Sequence, residues 1–371
     1  FIKQISPIHQ IHPEYPVCQV SPICPNYPVS PVNRLSPVNR LNPLAYPHGR
    51  SLKRNYWKAN DPLDPVTHVI AGTVISKLWF KKKWAMQVIV LSALLPDIDY
   101  ISALFSPEAF FVYRRGITHG IAFMLLAPVL VSVIASKANG GRKPVRRHFE
   151  EYYYLSLIGI LSHVFLDLFT PYGVRALAPF DARYYSFASV YYLDPVIALV
   201  LFAGFMVSRR KRKYAVKALA VALVICLVYL GGRTAIRHAA FSFARAKLDN
   251  YIVRSISPMP LSLWQWWYVA RLADGSKRTG VIDLLAGNSY EAAAYPPDSR
   301  SSLAAVARRT RLASGFLDVF PDAHVEASKD GEGHTVVTFR ALSYSFMNEF
   351  KFTVMVYLNS SGKVAGRKAV F

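Results

Sequence analysis

An all-α polytopic membrane domain with five or six apolar helices, followed by a small α+β extramembrane domain, is the fold class the sequence predicts. Three observations lead there. Of the 371 residues, 53% are hydrophobic and only 18% charged, which is greasy for a water-soluble chain. Apolar runs follow one another at Val66–Phe80, Met86–Leu104, Ile117–Ala135, Tyr153–Leu168, Tyr191–Val207 and Ala218–Leu230. The formal charge of +22 is concentrated between those runs, not spread evenly.

The first sixty residues stand apart. Prolines recur from Pro7 to Pro47, and the stretch SPVNRLSPVNRLNPL almost repeats a six-residue unit. Residues 1–60 therefore read as a low-complexity, Pro-rich tail that is disordered or non-native. Residues 61–232 form the membrane block. Lys81, Lys82 and Lys83 follow the first run, Lys137, Arg142, Lys143, Arg146 and Arg147 the third, and Arg209 to Lys213 the fifth. Under the positive-inside rule these loops face the cytoplasm, so the alternate loops face outward. The basic charge is thus accounted for by topology, and a nucleic-acid partner is disfavoured. Cys18, Cys24 and Cys226 are too few and too scattered for a disulfide framework or a thiolate metal site.

Residues 233–371 read as a linker and an extramembrane α+β domain. A basic amphipathic stretch runs to about Arg254, and Trp264, Trp266 and Trp267 suit either an interfacial anchor or a core strand. Alternation at Val336–Leu342 and Lys351–Phe371, the latter broken by Asn359, Ser360, Ser361 and Gly362, marks strands.

The polar residues inside the greasy runs carry the chemistry. SHVFLDLFTPYG sets His163 and Asp167 four residues apart on one helix face, and Pro171 and Gly173 end that helix. His68 lies in the first run, Asp97 and Asp99 follow Pro96, and His119 opens the third run; all fall at the outward-facing end. An unpaired ionisable group at membrane depth costs roughly 2.5–3.5 kcal/mol on insertion scales. Each therefore needs a partner. Histidines with carboxylates suit Zn²⁺, Mn²⁺ or Fe²⁺, and the number of candidate ligands allows one or two ions that activate water. Arg114 or Arg115 could hold an anionic group, and Asp194, before Pro195, reads equally well as a helix cap. A proton- or ion-coupled transporter using the same His/Asp cluster as a relay is the alternative.

The segments THVIAG, LLPDID, RRGITHG and SHVFLDLFTPYG, in that order between Pro65 and Val207, resemble the YdjM-like family of bacterial inner-membrane, metal-dependent hydrolases. That family in turn resembles zinc-dependent phospholipase C and P1-type nucleases. The resemblance implies His68, Asp97, Asp99, His119, His163 and Asp167 as ligands of divalent metal, Zn²⁺ in the first instance. By that resemblance Asp99 is a ligand or the base that orients water, and with Asp97 and the anion-holding Arg115 it makes up the expected catalytic set. The expected setting is a multi-pass inner-membrane protein with its C-terminal domain periplasmic or extracellular, acting on a phospholipid or envelope phosphoester. The family usually carries serine where Gly120 stands, so a supporting hydroxyl is expected to be missing.

Overall fold

The computed structural model describes residues 65–80, 83–138, 145–191, 194–248, 250–345 and 352–370. The Pro-rich tail, Cys18, Cys24, and the basic residues Lys81, Lys82, Arg142 and Lys143 lie outside the described residues. Seven helices make the N-terminal block: α1 (Pro65–Trp79), α2 (Lys83–Leu94), α3 (Pro107–Tyr113), α4 (Ile121–Ala138), α5 (Val145–Asp167), α6 (Pro195–Arg210) and α7 (Ala215–Lys247). Two 3-10 segments, Pro96–Leu104 and Ile117–His119, interrupt them where the candidate ligands cluster. Pro96 cannot donate into the end of α2, so the chain turns there.

The expectation of five or six membrane-spanning apolar helices is corrected by this arrangement. Among the described residues, two helical stretches, Ile121–Ala138 and Arg212–Lys247, are long and apolar enough to cross a bilayer. Trp84–Leu94 with Pro96–Leu104 would add a third if the pair, bent by 46°, counts as one span. Length and polarity explain the shortfall. At 1.5 Å per residue, α1 and α6 reach roughly 22 and 24 Å against a hydrocarbon core of about 30 Å. α5 is longer but carries Arg146, Arg147, Glu150 and Glu151 near one end and His163 and Asp167 near the other. Its middle is spent on protein contacts: Leu155 and Ile160 are fully buried, and Gly159 lies against the α2 backbone.

α7 continues without a break through Gly231 and Gly232, so the basic stretch after them is nearly half of one 33-residue helix. It delivers the chain to a C-terminal unit of two antiparallel four-stranded meanders. The first comprises β1 (Tyr251–Pro258), β2 (Gln265–Leu272), β3 (Lys277–Asp283) and β4 (Asn288–Tyr295); the second comprises β5 (His324–Lys329), β6 (Thr335–Arg340), β7 (Thr353–Leu358) and β8 (Val364–Val370). Between them lie α8 (Ser302–Arg308) and α9 (Arg311–Val319). Two of the three tryptophans belong to a strand: Trp266 and Trp267 are buried in β2, where the Trp267 indole donates to the Leu342 carbonyl at 2.8 Å, while Trp264 stands exposed just before it.

The two halves share a core. Phe110 and Phe111 of α3 are buried with Phe316, Phe320, Phe339 and Phe352, and the Phe111 and Phe316 rings meet edge to face at 5.2 Å. α3 is thus a plug from the helical block set in the C-terminal unit. Immediately after it come Arg114 and Arg115.

Candidate metal centre

Six polar side chains from four elements converge at the end of the helical block. α1 supplies His68, the first 3-10 segment Asp97 and Asp99, the second His119, and α5 both His163 and Asp167. All are buried except Asp97, which keeps partial access to solvent. These are the six residues the sequence singled out. Two groups with overlapping membership could hold an ion: His68, His163 and Asp167, and Asp97, His119 and His163.

Hydrogen bonds fix which nitrogens face inward. His163 Nδ1 donates to the Ala93 carbonyl at 2.7 Å, which leaves a lone pair on Nε2. The Thr118 hydroxyl donates to Asp99 Oδ2 at 2.8 Å and so accepts from His119 Nδ1 at 3.0 Å. His119 Nδ1 also lies 3.3 Å from Asp99 Oδ2. Both Nε2 atoms therefore turn lone pairs toward one point, 3.2 Å apart. Asp167 Oδ2 completes the triangle at 3.3 Å from His119 Nε2 and 3.4 Å from His163 Nε2. That oxygen is buried and has no hydrogen-bond donor.

Three electron-rich atoms at such separations repel one another unless a cation lies among them. Ligands at zinc distances in a tetrahedral shell stand about 3.3–3.5 Å apart, which these separations match. Asp97 Oδ1, 3.9 Å from His163 Nε2, is the nearest fourth donor. His68 stacks on His163 with ring centroids 3.8 Å apart, and its Nε2 lies 3.6 Å from Asp167 Oδ1. The residues present thus fit one ion on the Asp97, His119, His163 and Asp167 side, with His68 alongside.

The electrostatics agree. Burial, helped by the adjacent His68, pushes His163 down to about 4, so its ring is neutral and able to coordinate at physiological pH. Burial opposes charge on His119, but the carboxylates of Asp167 and Asp99 beside it raise its pKa above the usual imidazole value. Positive charge is favoured at this point, whether carried by a proton or by a metal ion.

The arginines have a different place from the one the sequence suggested. Arg114 is buried and donates from one Nη1 to Asp97 Oδ1 and Asp99 Oδ1, each at 2.9 Å. Burial alone would lower its pKa, but Asp99 and Asp97 carry it above the ordinary guanidinium value. Arg115 adopts a left-handed backbone (φ 50°). In that conformation its amide donates to Asp99 Oδ2 at 2.7 Å while its guanidinium reaches Asp167 Oδ1 at 3.1 Å and Thr170 at 2.6 Å. Both arginines hold carboxylates of the cluster in place. Thr118, Thr170 and the Ala93 carbonyl join the site without having been singled out, because hydroxyls and backbone carbonyls carry no distinctive pattern in a lone sequence.

Two other positions have a plain structural account. Asp194 caps α6, accepting from the Val196 and Ile197 amides and from the Tyr229 hydroxyl, and meets the centre only across a small cavity it shares with His68, Asp167 and Thr170. A side chain at Gly120 has no room: a Cβ there would lie 2.6 Å from the Ala178 carbonyl oxygen. The loop after α5 fills the space where a serine would stand. A further cluster, Asp330, Glu332 and His334, sits on the β5–β6 turn, where Asp330 is already used by the turn's own amides.

The model of the YdjM inner membrane protein family matches residues 63–238. The uncharacterized protein YfhP of Bacillus subtilis (strain 168) is 26% identical over 145 residues, a match covering 36% of this chain and 43% of that relative. The chain therefore spans less than half of that protein's length. No solved structure matches significantly.

Proposed function

We propose that the chain is a membrane-bound, metal-dependent hydrolase of the YdjM type that uses zinc at the His/Asp centre to cleave a phosphoester or carboxylic ester of the cell envelope. The observation that carries this reading is the inward-facing triangle of His119 Nε2, His163 Nε2 and Asp167 Oδ2, whose carboxylate oxygen is buried without a donor. The family match over residues 63–238 supports it.

His119, His163 and Asp167 would hold the ion, which supplies Lewis acidity and, at the position left open beside Asp97, would lower the pKa of water. Asp99 fixes the His119 tautomer through Nδ1 and keeps Nε2 free for coordination. Asp97, the partly solvent-accessible carboxylate of the group, is placed to accept a proton from attacking water. Arg114 and Arg115 keep Asp97, Asp99 and Asp167 ionised and oriented, and relay no proton themselves. On this reading the hydrolase-like membrane unit extends past residue 232 to the end of α7 at Lys247, and the β unit from Tyr251 onward is its extramembrane companion.

The test is elemental analysis of purified protein alongside turnover of phosphodiester, phosphomonoester and carboxylic ester substrates. Wild type should carry about one zinc per chain and turn over at least one class, with both properties lost in His163→Ala. Metal-supplemented wild type that binds no ion, or zinc-loaded protein that moves protons in sealed vesicles without turning over any ester, would sink the reading.

A further inference from the structure

A cleft of about 390 Å³ opens behind His119, on the Asp99 and Thr118 side of its ring, in the size range of small-molecule sites at ~300–1,000 Å³. Its walls follow from 3-10 geometry. With three residues per turn, side chains at i, i+3 and i+6 eclipse, so the segment Pro96–Leu104 and the residue after it present separate ridges. Asp99, Ser102 and Phe105 form the ridge that lines the cleft. Ala109 and Tyr113, one turn apart on α3, form the facing wall, and Ile117 and Thr118 close one end.

The lining is graded. Asp99 and Thr118, which hold His119, occupy one end, while Phe105, Ala109 and Tyr113 make the rest apolar. The neighbouring ridge of the same 3-10 segment, Ile98, Ile101 and Leu104, is 50%, 48% and 79% exposed, and Phe105 is 79% exposed. Ile117 leads within four residues to Ile121, the first residue of α4, whose Leu125, Leu126, Leu130 and Ile134 are also exposed. Because α4 is one of the two membrane-length helices, the apolar mouth of the cleft is continuous with a surface suited to acyl chains.

We propose that this cleft is the binding site for a single alkyl chain of an amphiphilic substrate, which enters sideways from the bilayer with its polar group at the Asp99–Thr118 end. The occupant is an alkyl chain because the walls away from that end offer few hydrogen-bonding groups to a sugar or a nucleobase, and because the mouth meets a lipid-compatible helix. The assignment rests on the hydrolase reading for what becomes of the chain's head group. Occupancy of the cleft does not depend on turnover.

The test uses full-length protein in phosphatidylcholine nanodiscs and a dodecylphosphocholine analogue with a diazirine at the chain terminus. After illumination, peptides containing Phe105 and Tyr113 should carry label that excess dodecylphosphocholine suppresses at least ten-fold and phosphocholine without a chain does not. Label on α4 serves as the internal reference for general lipid contact. Ala109→Trp should abolish cleft label, and the milder Ala109→Leu should reduce it, while α4 label and bound metal persist. Cleft label that is absent from wild type, not displaced by the chain-bearing competitor, or unchanged in Ala109→Trp would overturn the proposal. Suppressible cleft label in a protein that hydrolyses no ester would retain the chain site and overturn the hydrolase reading instead.

Discussion

Asp99 touches His119 on the side away from the other inward-facing ligands, so its part is separable from coordination. Asp99→Asn should weaken zinc binding by about 10–100-fold without abolishing it, since it removes the charge that holds Nδ1–H while leaving the ligands. His163→Ala should abolish stoichiometric zinc, and competition with a chromogenic chelator would separate the two results. The six ligand candidates were legible because ionisable groups in apolar runs are expensive and therefore conspicuous. The arginines were visible, but their carboxylate partners were not. Their roles depend on the left-handed turn at Arg115 and on the 3-10 segment bringing Asp97 and Asp99 to Arg114, and no spacing in RRG signals either. Asp298 offers a check away from the membrane. Burial opposes its charge, but His324 and Lys277 hold its carboxyl well below the usual range, and it also accepts from the Val325 amide. A depressed folded pKa contributes stability that is complete above the unfolded value of about 3.9 and is lost as pH falls through the folded value. Amide exchange at Val325, corrected for its intrinsic pH dependence, should lose protection below about pH 4. In Asp298→Asn protection should already be low at pH 7, because the Lys277 ammonium is left buried without its partner; equal protection in the two proteins would refute the linkage.

α2 and α5 form the scaffold that aims His163. At Gly159 a Cβ would fall 2.4 Å from the Ile89 carbonyl oxygen and 2.9 Å from Ser92 Cβ, so only glycine allows this approach. One turn later on α5, His163 reaches the Ala93 carbonyl of α2. Gly159→Ala should force the helices apart, cost about 1–3 kcal/mol of stability by overpacking, and lower zinc occupancy as the His163 bond breaks. Ser156→Ala, which removes only the hydrogen bond to Ser92, should cost about 0.5–1.5 kcal/mol and leave zinc in place. Comparing melting temperature and metal content across the pair tests whether packing or polarity sets the ligand's position. At this scale the apolar runs were legible as helices but not as spans, because hydropathy does not distinguish a face buried against protein from one facing lipid. The C-terminal strands divide in the same way. β6, β7 and β8 were legible from alternation and the Asn359–Gly362 turn, whereas β2 is buried at five consecutive positions, Trp266 to Ala270, and shows no period of two.

Across the whole molecule, the His/Asp cluster and the C-terminal unit occupy one end and the basic turn between α6 and α7 the other. His119 precedes the N-terminus of α4, His163 and Asp167 lie in the last turns of α5, and Asp194 begins α6, so these elements present their centre-facing ends together. α7 runs from the basic turn to the β unit over roughly 50 Å at 1.5 Å per residue, and Ala240 and Ala244 near its end pack on Val253 and Ile256. The plug of Phe110 and Phe111 binds the two halves at this same end. Positive charge in Arg209, Arg210, Lys211, Arg212 and Lys213 favours the cytoplasmic side for the opposite end. The metal centre and β unit should consequently face the periplasm or the outside. The check is a pair of single-cysteine proteins in a background with Cys18, Cys24 and Cys226 changed to serine: Lys211→Cys in the basic turn and Ser361→Cys in the exposed β7–β8 turn. Both native side chains are exposed, so neither substitution disturbs a core. A membrane-impermeant maleimide added to intact cells, after outer-membrane permeabilisation where one exists, should label position 361 and spare position 211 until the inner membrane is opened. Labelling of 211 with protection of 361 would put the His/Asp centre in the cytoplasm and exclude an envelope substrate reached from outside. Labelling of both before the inner membrane is opened would mean that the two ends lie on the same side, so that α7 does not cross.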